Sequence, residues 1–115
     1  MSDAKLFNEI VKNIQDNLYE NICVANICET YSFSRSTLQR LFKRHCNLSI
    51  TEYISYLRIE RAKEMIRLQN LNFTQIAAAL GYSSVHYFSR QFKQISGMNP
   101  SEYATSIKAI LEAED

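Results

Sequence analysis

The sequence predicts an all-α fold of about seven helices. Apolar residues recur at helical spacing along most of the 115-residue chain, and no stretch alternates apolar and polar residues with period two. Two glycines and one proline leave few positions for tight β-turns. The length suits one ordinary domain, or two small subdomains with a modest core.

A repeat with an offset of fifty positions organises the chain. A repeat of this length indicates one supersecondary unit used twice. We therefore expect a first subdomain over residues 1–48, a linker helix over 49–70 and a second subdomain over 71–115. The repeated residues are Ser34, Leu38, Arg40, Phe42, Lys43, Thr51, Glu52 and Tyr53, which match Ser84, Phe88, Arg90, Phe92, Lys93, Ser101, Glu102 and Tyr103.

The sequence of the first subdomain predicts three helices. Apolar residues over 6–18 mark one face of an amphipathic helix that we expect to end near Asn21. A short second helix follows over Val24–Tyr31, and Ser34 is placed to cap a third helix that runs to about Cys46. The second and third helices form a predicted helix-turn-helix.

A long fourth helix is predicted to join the two subdomains. Asn47 can adopt the left-handed conformation that ends the third helix, and Ser49 with Glu52 forms a capping-box sequence for the fourth. About 20 residues at about 1.5 Å each give a helix of about 30 Å, ending near Gln69. Its predicted buried face consists of Ile50, Tyr53, Ile54, Leu57, Ala62, Met65 and Ile66.

The second subdomain predicts the same arrangement again, with a short helix, a turn, a longer helix and a final helix. Gly81 permits a positive φ in the turn. The positions that predict the helix ends are Asn72 and Gln75 at the fifth helix, Ser84 and Gly97 around the sixth, and Asn99 with Pro100 at the seventh.

Charge is unevenly distributed, although the net charge is only +1. Between Arg35 and Lys108 eleven basic residues stand against four acidic ones, a local charge of +7, and the other residues carry −6. A basic middle between acidic ends is typical of a surface that binds a polyanion. No apolar run is long enough for a bilayer and the polar start does not resemble a signal peptide, so we expect a cytoplasmic protein.

The cysteines and histidines predict neither a metal site nor a catalytic site. Cys23, Cys28 and Cys46 are an odd set without a close pair or a matching histidine pair, so disulfides and zinc are not expected. Cys28 is expected to be a small buried residue. His45 precedes Cys46, but helix neighbours point about 100° apart and no third group is evident, so no catalytic residue and no cofactor are predicted.

Two polar stripes, on the third and sixth helices, are the candidate functional surface. A polar stripe on an amphipathic helix is ordinarily solvated surface. Here three features favour DNA: each stripe occupies the second helix of a helix-turn-helix, arginine and glutamine match guanine and adenine edges, and the linker approaches the roughly 34 Å between successive major grooves. The stripes contain no acid and consist of Ser36, Gln39, Arg40 and Lys43, and of His86, Ser89, Arg90 and Lys93.

Roles for these residues follow from their chemistry. The predicted base-reading residues are Arg40 and Arg90, then Gln39, with Ser36, Val85, His86 and Ser89 as further candidates. Val85 suits contact with a thymine methyl group and suits the core equally well. The predicted phosphate contacts are Lys43 and Lys93, helped by Arg35 and Arg44.

A long run, IAAALGYSSVHYFSRQFK at residues 76–93 followed by GMNPSEY at 97–103, carries a family resemblance. The first helix-turn-helix agrees at Ser34, Leu38, Arg40, Phe42 and Lys43, and the linker agrees through LRIERA at 57–62. Together they resemble the DNA-binding domain of the AraC/XylS family of bacterial transcription regulators. Departures from the family pattern are Cys28 for alanine, Asn47 for glycine and Ala104 for arginine, and the last removes an expected phosphate contact.

The resemblance implies a sequence-specific regulator associated with the nucleoid, an activator that contacts RNA polymerase and binds an asymmetric DNA site of about two helical turns. No membrane and no small-molecule ligand are expected as partners. Whether the chain resembles the short stand-alone members or an excerpt of a longer regulator stays open. One alternative is a helical interaction module or anti-activator that has lost DNA binding, and another is a small enzyme based on His45, Cys46 and His86.

Overall fold

The computed structural model describes residues 2–18, 22 and 24–114. The chain packs as two compact units, the first ending at Leu57 and the second beginning at Arg58. None of the helices in the described ranges has both the length and the apolar character needed to cross a membrane. The described residues form α1 (Asp3–Asp16), α2 (Val24–Tyr31), α3 (Arg35–Cys46), α4 (Ile50–Leu68), α5 (Phe73–Ala79), α6 (Val85–Ser96) and α7 (Pro100–Glu114).

The all-α prediction is confirmed, and the largest error in a helix limit concerns α1. It ends at Asp16, whereas the sequence predicts an end near Asn21, which lies outside the described residues, as does Cys23. Asn17 ends α1 because its backbone N–H donates to the Ile14 carbonyl and its side-chain amide donates to the Asn13 carbonyl at 2.7 Å. An asparagine side chain that bonds the local backbone in this way competes with helix continuation.

The core of the first unit joins α1 and α3 to the start of α4. Ile10, Ile14, Leu38 and Phe42 have no exposed surface, and Ile50 of α4 is 1% exposed. Close packing of large side chains from three helices fixes the orientation of α3, because rotation of α3 would expose Leu38 and Phe42 to water. The outward face of α3 is therefore set by its buried face.

The adjacent His45 and Cys46 belong to this packing. The His45 ring stacks on Phe7 with centroids 5.1 Å apart. The Cys46 thiol donates to the Phe42 carbonyl at 3.2 Å, and Cys28 is half-buried against the same core. His45 and Cys46 therefore have separate structural partners.

The core of the second unit joins the later part of α4 to α5 and α6. Ile59, Ala62, Ile76, Phe88 and Phe92 have no exposed surface. Ile59 is missing from the predicted buried face of α4. Ile59 belongs to the part of α4 that packs in the second core, and the single stripe predicted for the whole helix does not include it.

Candidate nucleic-acid interface

The caps at both ends of α3 and α6 are equivalent. Ser34 accepts a hydrogen bond from the Thr37 N–H at 3.2 Å, and Ser84 accepts one from the Tyr87 N–H at 3.0 Å. At the other end Asn47 (φ 59°) and Gly97 (φ 86°) adopt the left-handed conformation. Each cap satisfies backbone groups that the helix leaves without a partner, so both helices have well-defined limits.

A Phe–Tyr pair lies at the buried face of each of these helices. The Phe42 and Tyr53 rings lie 5.6 Å apart at 61°, and the Phe92 and Tyr103 rings lie 5.6 Å apart at 56°. These four residues are repeat partners. The sequence repeat is thus also a repeat of packing geometry, and it directs the opposite face of each helix away from its core.

The turns before α3 and α6 are related but differ by one residue. In the first, the Phe33 N–H donates to the Cys28 carbonyl at 2.8 Å. In the second, the Tyr82 N–H donates to the Ala77 carbonyl at 2.9 Å, and Ser83 is the additional residue before the cap. Both bonds span five residues, the pattern that closes a helix through a left-handed residue.

The left-handed residue of the first turn is not evident from the sequence. Ser32 has φ 58° and does there what Gly81, with φ 82°, does in the second turn. A serine at this position gives no sequence signal, because positive φ is ordinarily associated with glycine or asparagine. Ser32 aligns with Gly81 only when α2 and α5 are compared with an offset of 49 positions, which pairs Cys28 with Ala77. The offset of fifty that aligns α3 with α6 does not pair them.

On α3 the predicted stripe is exposed. Ser36, Gln39, Arg40 and Lys43 are all exposed, opposite the buried Leu38, Leu41 and Phe42. The Arg40 side chain borders an open cleft of about 280 Å³ that is also lined by Phe33, Thr37 and Leu41. Within the described residues Arg40 forms no ion pair, so its guanidinium is available to a ligand.

The two further arginines of α3 differ in their surroundings. Arg35 is exposed in the first turn. Arg44 forms an ion pair with Asp3 of α1, and both side chains keep more than half of their surface exposed. A phosphate that binds Arg44 must compete with this carboxylate.

On α6 three of the four stripe residues are exposed, and two of the candidate residues are half-buried. His86, Arg90 and Lys93 are exposed and Ser89 is half-buried. Val85 is half-buried and packs against the second core. Its position favours packing over a thymine contact.

Arg90 lies beside Tyr87, which is linked through the Gln91 side chain to Tyr82. Its guanidinium carbon is 6.0 Å from the centroid of the Tyr87 ring. Tyr87 is 45% exposed and its hydroxyl accepts a hydrogen bond from the Gln91 amide at 3.4 Å. Gln91 in turn accepts a hydrogen bond from the hydroxyl of Tyr82, which is 9% exposed.

The electrostatic character of both helices is positive. Neither α3 nor α6 contains an acidic residue, and their last turns carry Lys43, Arg44 and Lys93. Among the described residues no group of three or more His, Cys, Asp or Glu side chains could hold a metal ion. The exposed donors of α3 and α6 suit an anionic ligand that also presents hydrogen-bond acceptors, as the major groove does.

Comparison with known proteins agrees with this geometry. The sequence profile of a family described as a helix-turn-helix domain matches residues 27–106. The chain is 37% identical over 107 residues to the raffinose operon transcriptional regulatory protein RafR of Pediococcus pentosaceus, covering 93% of this chain and 39% of RafR. It is 29% identical over 111 residues to the transcriptional activator RhaS of Salmonella paratyphi B, covering 96% of this chain and 40% of RhaS. The chain therefore spans about two fifths of the length of these relatives.

A solved structure shares the fold. A transcriptional regulator from Chromobacterium violaceum, described as an AraC-type DNA-binding domain-containing protein, superposes with a TM-score of 0.81 and is 27% identical, covering 87% of this chain and 89% of that one. A helix-turn-helix match over most of the chain and this AraC-type neighbour define the class of protein. The chain belongs to the AraC/XylS family of transcription regulators and is a DNA-binding domain of that family.

Proposed function

We propose that this domain recognises an asymmetric DNA site of about two helical turns, with α3 and α6 inserted into successive major grooves. Arg40 and Arg90 contact base edges, Gln39, Ser36, His86 and Ser89 read neighbouring positions, and Lys43, Lys93 and Arg35 contact phosphates. Because the two units repeat along one chain in the same direction, the two half-sites follow one another without palindromic symmetry.

The observation that carries the proposal is the equivalence of α3 and α6. Each is the second helix of a helix-turn-helix, is capped by serine and is braced by a Phe–Tyr pair. Each then presents an exposed arginine and, three residues later, an exposed lysine on the side away from its core. Two copies of the same basic surface favour a ligand that repeats, and DNA repeats its major groove about every 34 Å.

Selection of bound duplexes from a random pool, followed by footprinting on the selected sequence, tests the proposal. We expect two conserved blocks about 10 base pairs apart, different from each other, and protection over about two turns. Protection of a single turn would show that only one unit binds, and a palindromic site would show that two chains bind. Affinity should fall steeply as salt rises, because phosphate contacts release counterions.

We further propose that the bound domain acts as an activator through contact with RNA polymerase. RhaS, a relative over nearly the whole of this chain, is named a transcriptional activator. Transcription in vitro from a promoter that carries the selected site should increase when the protein and polymerase are both present. Reduced transcription from that promoter would indicate a repressor.

A further inference from the structure

The two base-reading arginines are not supported in the same way. In α6 the residue three positions before Arg90 is Tyr87, whereas in α3 the residue three positions before Arg40 is Thr37. Residues at this spacing are neighbours on one side of a helix, and helical side chains lean towards the preceding turn. Arg90 thus leans towards an aromatic ring, while Arg40 leans towards a hydroxyl group that is already paired with Ser34 at 2.9 Å.

We infer that Tyr87 is a positioning residue for Arg90, holding its guanidinium in the orientation from which it reaches a base edge. The guanidinium carbon lies 6.0 Å from the Tyr87 centroid, within the range of a cation–π contact. The inference deepens the proposed function and depends on it. It assigns to Tyr87 a role in specificity without a direct contact to DNA.

The Tyr87 ring is itself held from the second core. Its centroid lies 5.6 Å from that of Tyr82, and the Tyr82 ring meets Phe88, which is fully buried, edge-on at 5.3 Å. The Tyr82 hydroxyl donates to the Gln91 side-chain oxygen, so the Gln91 amide nitrogen is directed to the Tyr87 hydroxyl. A chain of contacts therefore extends from the core to the surface arginine.

An arginine side chain whose rotamers are restricted before binding is suited to a base contact that needs one orientation of the guanidinium. A long side chain loses rotamer freedom when it is fixed on a base, and a side chain that is already restricted loses less. A bidentate contact to guanine needs the guanidinium plane in one setting. We therefore expect base preference to be sharper at the pair contacted by Arg90 than at the pair contacted by Arg40.

Four variants test the inference: Tyr87→Leu, Tyr87→Phe, Arg90→Ala and the double variant Tyr87→Leu with Arg90→Ala. Tyr87→Leu should reduce the preference for the selected duplex, over a duplex altered at the base pair that Arg90 contacts, about two- to fivefold. This is the factor expected from a cation–π contact at an exposed site. Tyr87→Phe keeps the ring and should retain most of the preference. In the Arg90→Ala background Tyr87→Leu should have no further effect.

A matched control is Tyr56→Leu in the first unit. Tyr56 is 43% exposed on α4, close to the 45% of Tyr87, and its ring pairs with Tyr53 at 6.3 Å. This variant should leave the preference at the Arg90 pair unchanged. A loss caused by Tyr87→Leu that persists in the Arg90→Ala background would overturn the inference, as would an equal loss from Tyr87→Phe.

A measurement without DNA separates this inference from the proposed function. The Arg90 side-chain N–H resonance should be shifted by the Tyr87 ring current in the free protein and should return to an ordinary position in Tyr87→Leu. An unshifted resonance in the native protein would overturn the positioning role even if DNA binding is confirmed. A shifted resonance without discrimination between duplexes would overturn the proposed function, and with it the role given to Tyr87.

Discussion

The Arg44 guanidinium on α3 forms an ion pair with the carboxylate of Asp3, in the first turn of α1. The pair joins two helices through residues that are 41 positions apart in the chain. Both side chains are largely exposed, so the contact contributes little to stability, about 0–1 kcal/mol. Its greater effect is to place a negative charge beside the basic surface of α3.

We expect Asp3→Asn to tighten binding to all duplexes alike. The change frees Arg44 for a phosphate contact and removes a charge that repels the DNA backbone, so affinity at low salt should rise by a factor of about five, on the order of 1 kcal/mol. The slope of log affinity against log salt should become steeper by about 1. Titration of selected and random duplexes at several salt concentrations measures both effects.

Asp16→Asn is the control for this change. Asp16 lies at the other end of α1 and alters net charge equally, without an ion-pair partner on α3 among the described residues. It should leave affinity and salt slope nearly unchanged. An equal gain from both variants would show that total charge, and not release of Arg44, determines the effect.

Arg40 and Lys43 allow base reading to be separated from phosphate contact on α3, and Arg90 with Lys93 allows the same on α6. Arg40→Ala or Arg90→Ala should reduce the binding free energy for the selected site by about 1–3 kcal/mol and relax the preference at one base pair. Lys43→Ala or Lys93→Ala should weaken selected and random duplexes equally and reduce the salt slope by about 1. Equal losses on both duplexes for all four variants would contradict the assigned roles.

The helical limits were predictable wherever a side chain signals them. Ser34, Asn72 and Ser84 cap helices where the sequence predicts caps, and Asn72 and Gln75 form the predicted reciprocal pair, with bonds of 2.8 and 2.9 Å. Such signals are local, because a cap depends on a side chain and a backbone group three residues apart. Gly97 was predictable for another local reason, because glycine adopts the left-handed conformation after a helix C-terminus without steric cost.

Features that depend on residues far apart in the chain were not predictable. The Asp3–Arg44 pair and the bond from the Arg67 guanidinium to the Tyr103 hydroxyl at 2.8 Å have no pattern in the sequence. The contact between Tyr87 and Arg90 is different: their spacing of three residues makes them neighbours on α6, but this spacing was not used as a signal, because an aromatic residue at the edge of an apolar face is ordinarily assigned to packing. The exposed stripes were predictable because their opposite faces are strongly apolar.

The left-handed Ser32 leads to a prediction about stability. Ser32→Gly should raise the free energy of unfolding of the first unit by about 1 kcal/mol, because glycine adopts φ 58° without the steric cost that serine carries. Ala25→Gly is a control in α2, the helix that Ser32 follows, where the helical conformation makes glycine destabilising by up to about 1 kcal/mol. Urea unfolding followed by circular dichroism should show shifts of opposite sign. A loss of stability from Ser32→Gly would contradict the prediction.

Burial raises the pKa of the Tyr82 hydroxyl from 10.0 to about 12, an effect that the nearby Arg58 charge partly offsets. The native state therefore keeps a proton that the unfolded state loses, so the stability from this group is complete below about pH 10 and is lost as pH rises towards 12. The loss should be at most about 2 kcal/mol, since water still reaches part of the ring. Urea unfolding of the native protein and of Tyr82→Phe at increasing pH measures this loss of stability. The phenylalanine variant is the control because it lacks the titrating group and lacks the hydrogen bond to Gln91 at every pH. A stability difference between the two proteins that stays constant across this range would show that Tyr82 ionises normally in the fold.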